Sequence, residues 1–433
     1  MPWFMKEADE ISRQEIDELA LRLVDEARSR FGRPLRRVLL LPPDLTRAHS
    51  GVGPITETIY RALAPTCDVH VIPTLGQHRP HTEEENRWMF GSIPHARIHA
   101  HDWIGGVTRV GTIPGSLVAE TTGGLADWDI PVDLNTMTVT EEWDLIVNIG
   151  HVVPHEVLGF ANHNKNYFIG LGGKETICRS HLAAAIYGIE NNLGRLVTPL
   201  RACFNWAEER FLGHLPDVYL QVVMRRDAQN RLVTSGIYVG DDLETYLAAA
   251  RASRAQNITV FDEPVDKVVA VMQADEFRST WVANKAVYRT RLVIRDGGEL
   301  LIIAPGLERF GEQDAVDRLI RRFGYTGRDR ILELYRREPE LQKLAHGAAH
   351  LVHGSSDGRF TIRYAPGHLT REEIEGVGYE WADLQATLAR YPPNRMQEGW
   401  NTMPDGERVF FINTPSAGLW ATRARMGDRL DDA

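Results

Sequence analysis

Cysteine is scarce. The 433 residues hold three, Cys67, Cys178 and Cys203, and none stands in CxxC spacing. That argues against a disulfide framework and against a cysteine-based zinc or redox motif, and it suits reduced thiols in a cytoplasmic protein. Long apolar runs are missing too: none approaches the roughly 20 residues a membrane span needs. The first residues, MPWFMKEADE, are acidic where a secretory leader would be basic and then apolar, so no signal peptide is expected. Positive charge is in deficit. Lys and Arg number 49 against 59 Asp and Glu, a formal net charge of −10, which argues against nucleic acid or an anionic membrane as a partner. No HExxH occurs, nor GxGxxG after a strand, nor GxxxxGK followed by Ser or Thr, so neither a standard helical zinc site nor a common nucleotide loop is present. Internal repeats of about 20–50 residues and low-complexity segments are also absent.

What is present is an α/β pattern, repeated. Residues 15–31 carry Ile16, Leu19, Leu23, Val24 and Ala27 at helical spacing, with Gly32 as the stop. RRVLLLPP then reads as a buried strand, and Asp44-Leu45-Thr46-Arg47 follows it directly. Residues 55–64 read as a helix. CDVHVIPTLG is the next strand, followed by Gly76-Gln77-His78-Arg79-Pro80, and Thr82 with Glu85 forms a capping box for the helix after it. Strand, loop, helix in succession predicts a largely parallel sheet, in which ligands sit outside the carboxyl ends of the strands. Polar residues 249–263 read as a crossover, which places a domain boundary near 258: an N-terminal α/β domain over 1–258 and a C-terminal one over 259–433. In the second, VDKVVAVM and ELLIIAPG read as strands and FRSTWVANKAVYRTRLVI as one helix containing Lys285.

The densest stretch runs from Asp144 to His181. A β-branched run to Ile149 ends in Gly150; then come His151, His155, His163, Lys165 and His181 among Gly159, Gly170, Gly172 and Gly173. Imidazoles move protons or bind metal near neutral pH, a lysine amine is a nucleophile or a cofactor tether, and glycine admits close backbone approach. His151 and His155 are spaced for one helix face, but Pro154 between them works against a continuous helix and a two-histidine zinc site. His95, His99, His101, His346, His350 and His353 carry no motif and read as ordinary surface or hydrogen-bonded residues.

Taken together, these segments resemble the nickel-pincer nucleotide-dependent lactate racemase family. Asp44-Leu45-Thr46-Arg47 looks like its D-x-T-R loop, and Gly76 to Glu84 like its G-x-H-R-P-x-T-x-E segment. Pro154-His155 through Gly159-Phe160 to Lys165 resembles its P-H-x-x-x-G-F-x-x-x-x-K signature. His181 stands where the family has a metal-binding histidine, and Lys285 resembles its second-domain lysine. The likeness covers residues 38 to about 310 best. It implies two α/β domains with the active site in the cleft between them. It also implies a pyridinium mononucleotide whose thioamide and thiocarboxylate arms hold nickel by sulfur, carbon and sulfur. Lys165 would be joined to that cofactor, with Asp44 and Thr46 beside it, and His181 would be the fourth nickel ligand. His78 and His155 would be the acid/base pair, and Arg47 and Lys285 would hold the substrate carboxylate. The expected partners are a small 2-hydroxy acid and, transiently, cofactor-synthesis enzymes.

Two departures from the family pattern bear on substrate. Ala161-Asn162-His163-Asn164 stand where small residues are usual, and Trp281-Val282 where Tyr-Gln is common. Asn162 and His163 are therefore expected to read substrate hydroxyls and Trp281 to add bulk, favouring a 2-hydroxy acid larger or more polar than lactate. Two other classes remain on the residues alone: a metal-dependent hydrolase or lyase using the same histidines, and a non-catalytic binder of the same fold.

Overall fold

A computed structural model describes residues 1–227, 229 and 231–427. The chain divides into two compact units, residues 1–180 with 196–257, and residues 181–195 with 258–433. The expected single boundary at 258 thus differs in one respect: segment 181–195 groups with the later residues. The division falls inside a helix, Lys174–Tyr187, where an unbroken helical pattern gives no composition shift to read.

The first unit is built on six strands: β1 (Phe4–Glu7), β2 (Arg37–Leu41), β3 (Asp68–Val71), β4 (Leu145–His151), β5 (Asp217–Arg226) and β6 (Leu232–Gly240), in the order β1-β6-β5-β4-β2-β3. The four strands from β5 to β3 run parallel, and β6 and β1 are added antiparallel at the far edge. Every residue of β4 is buried. A near-continuous apolar run is what a parallel strand covered on both faces requires. Helix α1 (Arg13–Phe31) opens with a Ser12/Glu15 capping box and stops at left-handed Gly32. It shares one core with α2 (Val52–Leu63): Leu23, Val24, Ile55 and Ile59 pack with Val38, Leu40, Val147 and Leu220. Helix α3 (Glu83–Phe90) carries the expected Thr82/Glu85 capping box. Three further helices complete the set used below: α4 (Lys174–Tyr187), α5 (Pro199–Ala207) and α6 (Leu243–Asn257).

The second unit has its own six-stranded sheet: β7 (Val265–Val271), β8 (Ile294–Ala304), β9 (Thr361–Pro366), β10 (Glu380–Trp381), β11 (Gly399–Thr402) and β12 (Arg408–Ile412). Their order is β10-β9-β8-β7-β12-β11, all parallel except β11. The single helix expected over 277–294 is instead two short ones, α7 (Thr280–Ala283) and α8 (Lys285–Thr290), meeting at Asn284. Ile294 already belongs to β8, as its β-branched neighbourhood favours, and the Asn284 side-chain Oδ1 accepts from the hydroxyls of Tyr364 and Tyr379. Helix α9 (Ala345–His353) is wholly buried. Among the described residues no helix is long and apolar enough to cross a membrane.

Because β4 is the covered centre of its sheet, truncation there is costly. Ile149, fully buried, changed to alanine should lower stability by about 2–5 kcal/mol, read as a shift in the urea midpoint at unchanged slope.

Candidate active site

Strands β4, β2 and β3 are neighbours and parallel, so their following loops leave the sheet at one edge. Those loops carry His155, Asp44 to Arg47, and His78.

The loop after β2 is held in one shape by its own polar groups. Asp44 is buried; its carboxylate accepts from Thr46 Oγ1 at 2.7 Å and pairs with His78 Nδ1. Leu45 N–H donates to His81 Nε2 at 3.2 Å, and Ser50 Oγ donates to the Arg47 carbonyl at 2.6 Å. Burial opposes ionisation of Asp44, but His78 and Thr46 outweigh it and hold the carboxyl below its usual range. Since an ionised carboxylate only accepts, the His78 ring proton sits on Nδ1, and Nε2 offers the lone pair. This is the arrangement of a general base oriented by an acid.

His155 has the opposite polarity. Pro154–His155 and Gly159–Phe160 form a small antiparallel pair rather than helix, as Pro154 predicts. Val157 N–H donates to His155 Nδ1 at 3.2 Å, so the neutral ring carries its proton on Nε2. The same chain region therefore presents one imidazole set to accept a proton and one set to donate.

Between His155 and Lys165 the chain makes a left-handed turn at two non-glycine residues, Asn162 (φ 68°) and His163 (φ 58°). Such conformations are strained and persist only where surroundings impose them. Here Asn162 Oδ1 accepts from Asn166 Nδ2 at 2.7 Å and Asn162 Nδ2 donates to Gln221 Oε1 at 3.3 Å. Asn164 Nδ2 donates to Asn205 and Glu208 at 2.7 and 2.9 Å. The His163 ring stacks on Tyr219 at 4.2 Å and lies 5.0 Å from Tyr246. Asn162 and His163, expected from the sequence to read a substrate, thus have side chains bonded or stacked inside their own unit. The glycines serve the same packing: a Cβ on Gly150 would collide with the Asn162 carboxamide, and one on Gly170 would lie 2.5 Å from Thr74 Cβ.

Lys165 ends this turn, half-buried, followed by a wide π-type turn over Asn166–Gly170. Burial and the nearby Arg47 and Arg201 charges lower its amine to about 8, against the pull of Glu156 and Asp44. A much larger fraction is neutral at pH 7–8 than for an ordinary lysine.

His181 is half-buried on α4, in the segment grouped with the second unit. There, Lys285 opens α8 and its ammonium lies 5.7 Å from the centre of the Phe277 ring. Trp281, on α7, stacks on His350 at 4.4 Å. His350 accepts or donates to Tyr288 and Tyr325 hydroxyls, both at 2.9 Å. The sequence reading set His350 aside; its signal was the spacing of His346, His350 and His353, which puts three histidines on one face of α9. Arg201, Glu208, Gln221 and Tyr246 were also missed. Arg201 had a visible anomaly, a charge amid the buried Leu200, Cys203 and Phe204 of α5.

Residues 7–193 match the lactate racemase N-terminal domain family. A crystal structure of a Thermotoga maritima protein superposes with a TM-score of 0.80 at 23% identity, covering 96% of this chain and 100% of that one. The lactate racemase apoprotein from Thermoanaerobacterium thermosaccharolyticum superposes with a TM-score of 0.70 at 15% identity, covering 94% of this chain and 92% of that one. No curated protein matches significantly. Residues 7–193 thus resemble the lactate racemase N-terminal domain, and the two solved structures share the fold of this chain.

A half-buried acid, Asp217, pairs with Tyr167 of the π-type turn. Tyr167 OH donates to Asp217, and burial, with Glu208 nearby, raises the Asp217 carboxyl to about 8. A carboxyl raised on folding contributes stability that is full below its unfolded value near 4 and is lost as pH rises through the folded value. Wild-type protein should therefore lose stability between pH 5 and 8. Asp217→Asn should flatten that slope by at least about 1.4 kcal/mol, the equivalent of one pKa unit, in urea titrations across that range.

Proposed function

We propose that this protein is a racemase or epimerase that inverts C2 of a 2-hydroxy acid with the help of a nickel-pincer nucleotide. The observation that carries the reading is the half-buried Lys165 amine, lowered toward neutrality, beside the Asp44–His78 pair and in the same loop system as His155. A neutral amine can be acylated, which is what a covalent tether requires.

The donor set fits that cofactor. Among the described residues no group of three or more His, Cys, Asp or Glu could hold a metal ion. A zinc hydrolase site needs three protein donors; a pincer supplies its own sulfur and carbon donors and asks the protein for one imidazole, the role proposed for His181. When bound, the cofactor supplies an acceptor for hydride from C2 and a donor of it to either face of the resulting planar ketone.

The chain's own residues do the rest. His78, with its proton held on Nδ1 by Asp44, takes the substrate hydroxyl proton at Nε2. His155, with its proton on Nε2, serves the opposite face, and the two exchange roles between enantiomers. Arg47 is assigned to the substrate carboxylate through charge-assisted bonds. Asp44 sets the His78 tautomer, and with Thr46 it lines the cofactor side of the same loop. Substrate size is proposed to be read by Trp281 and the His350 behind it, favouring an acid larger or more polar than lactate.

Co-expression with cofactor-synthesis enzymes should give a covalent adduct that maps to Lys165 by intact-mass and peptide spectrometry; Lys165→Ala should carry none while remaining folded. An adduct on another lysine contradicts the assignment. In the loaded enzyme His78→Ala and His155→Ala should each lose about 10²–10⁴-fold in both directions, and near-normal rates in both would remove the pair.

A further inference from the structure

The side chain that does most to shape the lysine turn is one with no place in that chemistry. Arg201 on α5 is fully buried. Its Nη2 donates to the carbonyls of Phe160 and Asn162 at 2.8 and 3.3 Å and to Tyr246 OH at 2.9 Å. Its Nη1 donates to Asn164 Oδ1. The guanidinium also lies 4.4 Å over the Tyr246 ring. Every one of these acceptors except Tyr246 belongs to the five residues immediately before Lys165. Burying a charge without a partner carboxylate is expensive, and here the compensation comes from carbonyl and amide oxygens of a single loop.

We propose that Arg201 is the positioning residue for Lys165: its fork gathers the Phe160–Asn164 turn, imposes the left-handed backbone at Asn162 and His163, and so fixes where the amine stands. The role assigned to that amine rests on the function proposed above; the clamp itself does not. Planarity matters, since a fork bonds several oxygens at once and a lysine ammonium on a flexible stem does not reproduce it. The charged groups acting on the amine are Arg47, Glu156, Asp44 and Arg201 itself. Removal of Arg201 both deletes a repelling cation and lets the turn admit water, and each effect moves the amine toward ordinary lysine behaviour.

The test uses apo protein, so it stands apart from cofactor loading. Wild type, Arg201→Met, Arg201→Lys and Asn164→Ala are pulsed with acetic anhydride from pH 6 to 11. The midpoint of Lys165 acetylation is read by peptide mass spectrometry, with a thermal melt of each variant. Midpoint rather than rate is the readout, because reagent access alters the rate of acetylation, whereas the midpoint follows the charge and hydration around the amine. Wild type is expected near pH 8, Arg201→Met at least one pH unit higher, and Arg201→Lys between the two. Asn164→Ala, which removes one acceptor of the fork, should shift the same way by less. If Arg201→Met does not fold, Asn164→Ala decides. An unchanged midpoint in the folded variants overturns the proposal. An unmodified Lys165 after co-expression with cofactor-synthesis enzymes, alongside shifted midpoints here, would instead leave the clamp standing and remove the tether.

Discussion

Three parallel strands, β4, β2 and β3, lie side by side, and what leaves their carboxyl ends has one edge to share. The loop after each strand brings a different group: an acid and an arginine after β2, a histidine after β3, a histidine and then a lysine after β4. None of these groups is close to another in sequence except within its own loop. The sheet supplies the convergence, and the fully buried β4 anchors the sheet. Polar pairing then turns proximity into defined chemistry. Asp44 sets the tautomer of His78; a backbone amide sets that of His155; burial and two arginines bring Lys165 toward its neutral form. The site depends on groups being unable to move or to be fully hydrated.

That dependence accounts for what is stored beneath the lysine turn. Asn162, Asn164, Asn166, Asn148 and Gln221 form a buried layer of amides around it, with half-buried Asn205 bonded at its margin. Two of its donors, Asn148 Nδ2 and Gln221 Nε2, are buried without a hydrogen-bond partner, so the layer is not fully satisfied. The layer is closed by Arg201 on one side and by Glu208 on the other. An apolar core would leave the turn free to relax from its left-handed backbone; hydrogen bonds of defined direction do not.

Much of this was legible in the sequence. The strand ends before Asp44, His78 and His155 showed as apolar runs meeting Pro or Gly, and parallel topology followed from their alternation with helices. The capping box at Thr82 and the effect of Pro154 were local rules with no long-range competitor. Other features depended on contacts that no local pattern reports. Asn162 and His163 look like specificity residues in a loop, and their partners at Gln221, Tyr219 and Tyr246 lie far along the chain, where no local pattern reports them. Arg201 lies 36 residues beyond Lys165, on another helix, and two of its four partners are backbone carbonyls, which carry no residue signature at all. The break between α7 and α8 at Asn284 is likewise set by Tyr364 and Tyr379, far along the chain. Segment 181–195 changes unit within a continuous helix, where composition is silent.

The central claim is inversion at C2 by hydride leaving and returning, with His78 and His155 handling only the hydroxyl proton. Loaded enzyme should be given a single enantiomer of a 2-hydroxy acid it turns over, in D2O, and the product examined by NMR at C2. The account predicts the opposite enantiomer carrying its original hydrogen at C2, with solvent deuterium confined to exchangeable positions. Deuterium built into C2 in step with inversion would mean that a base removes the C2 proton itself, and would contradict it.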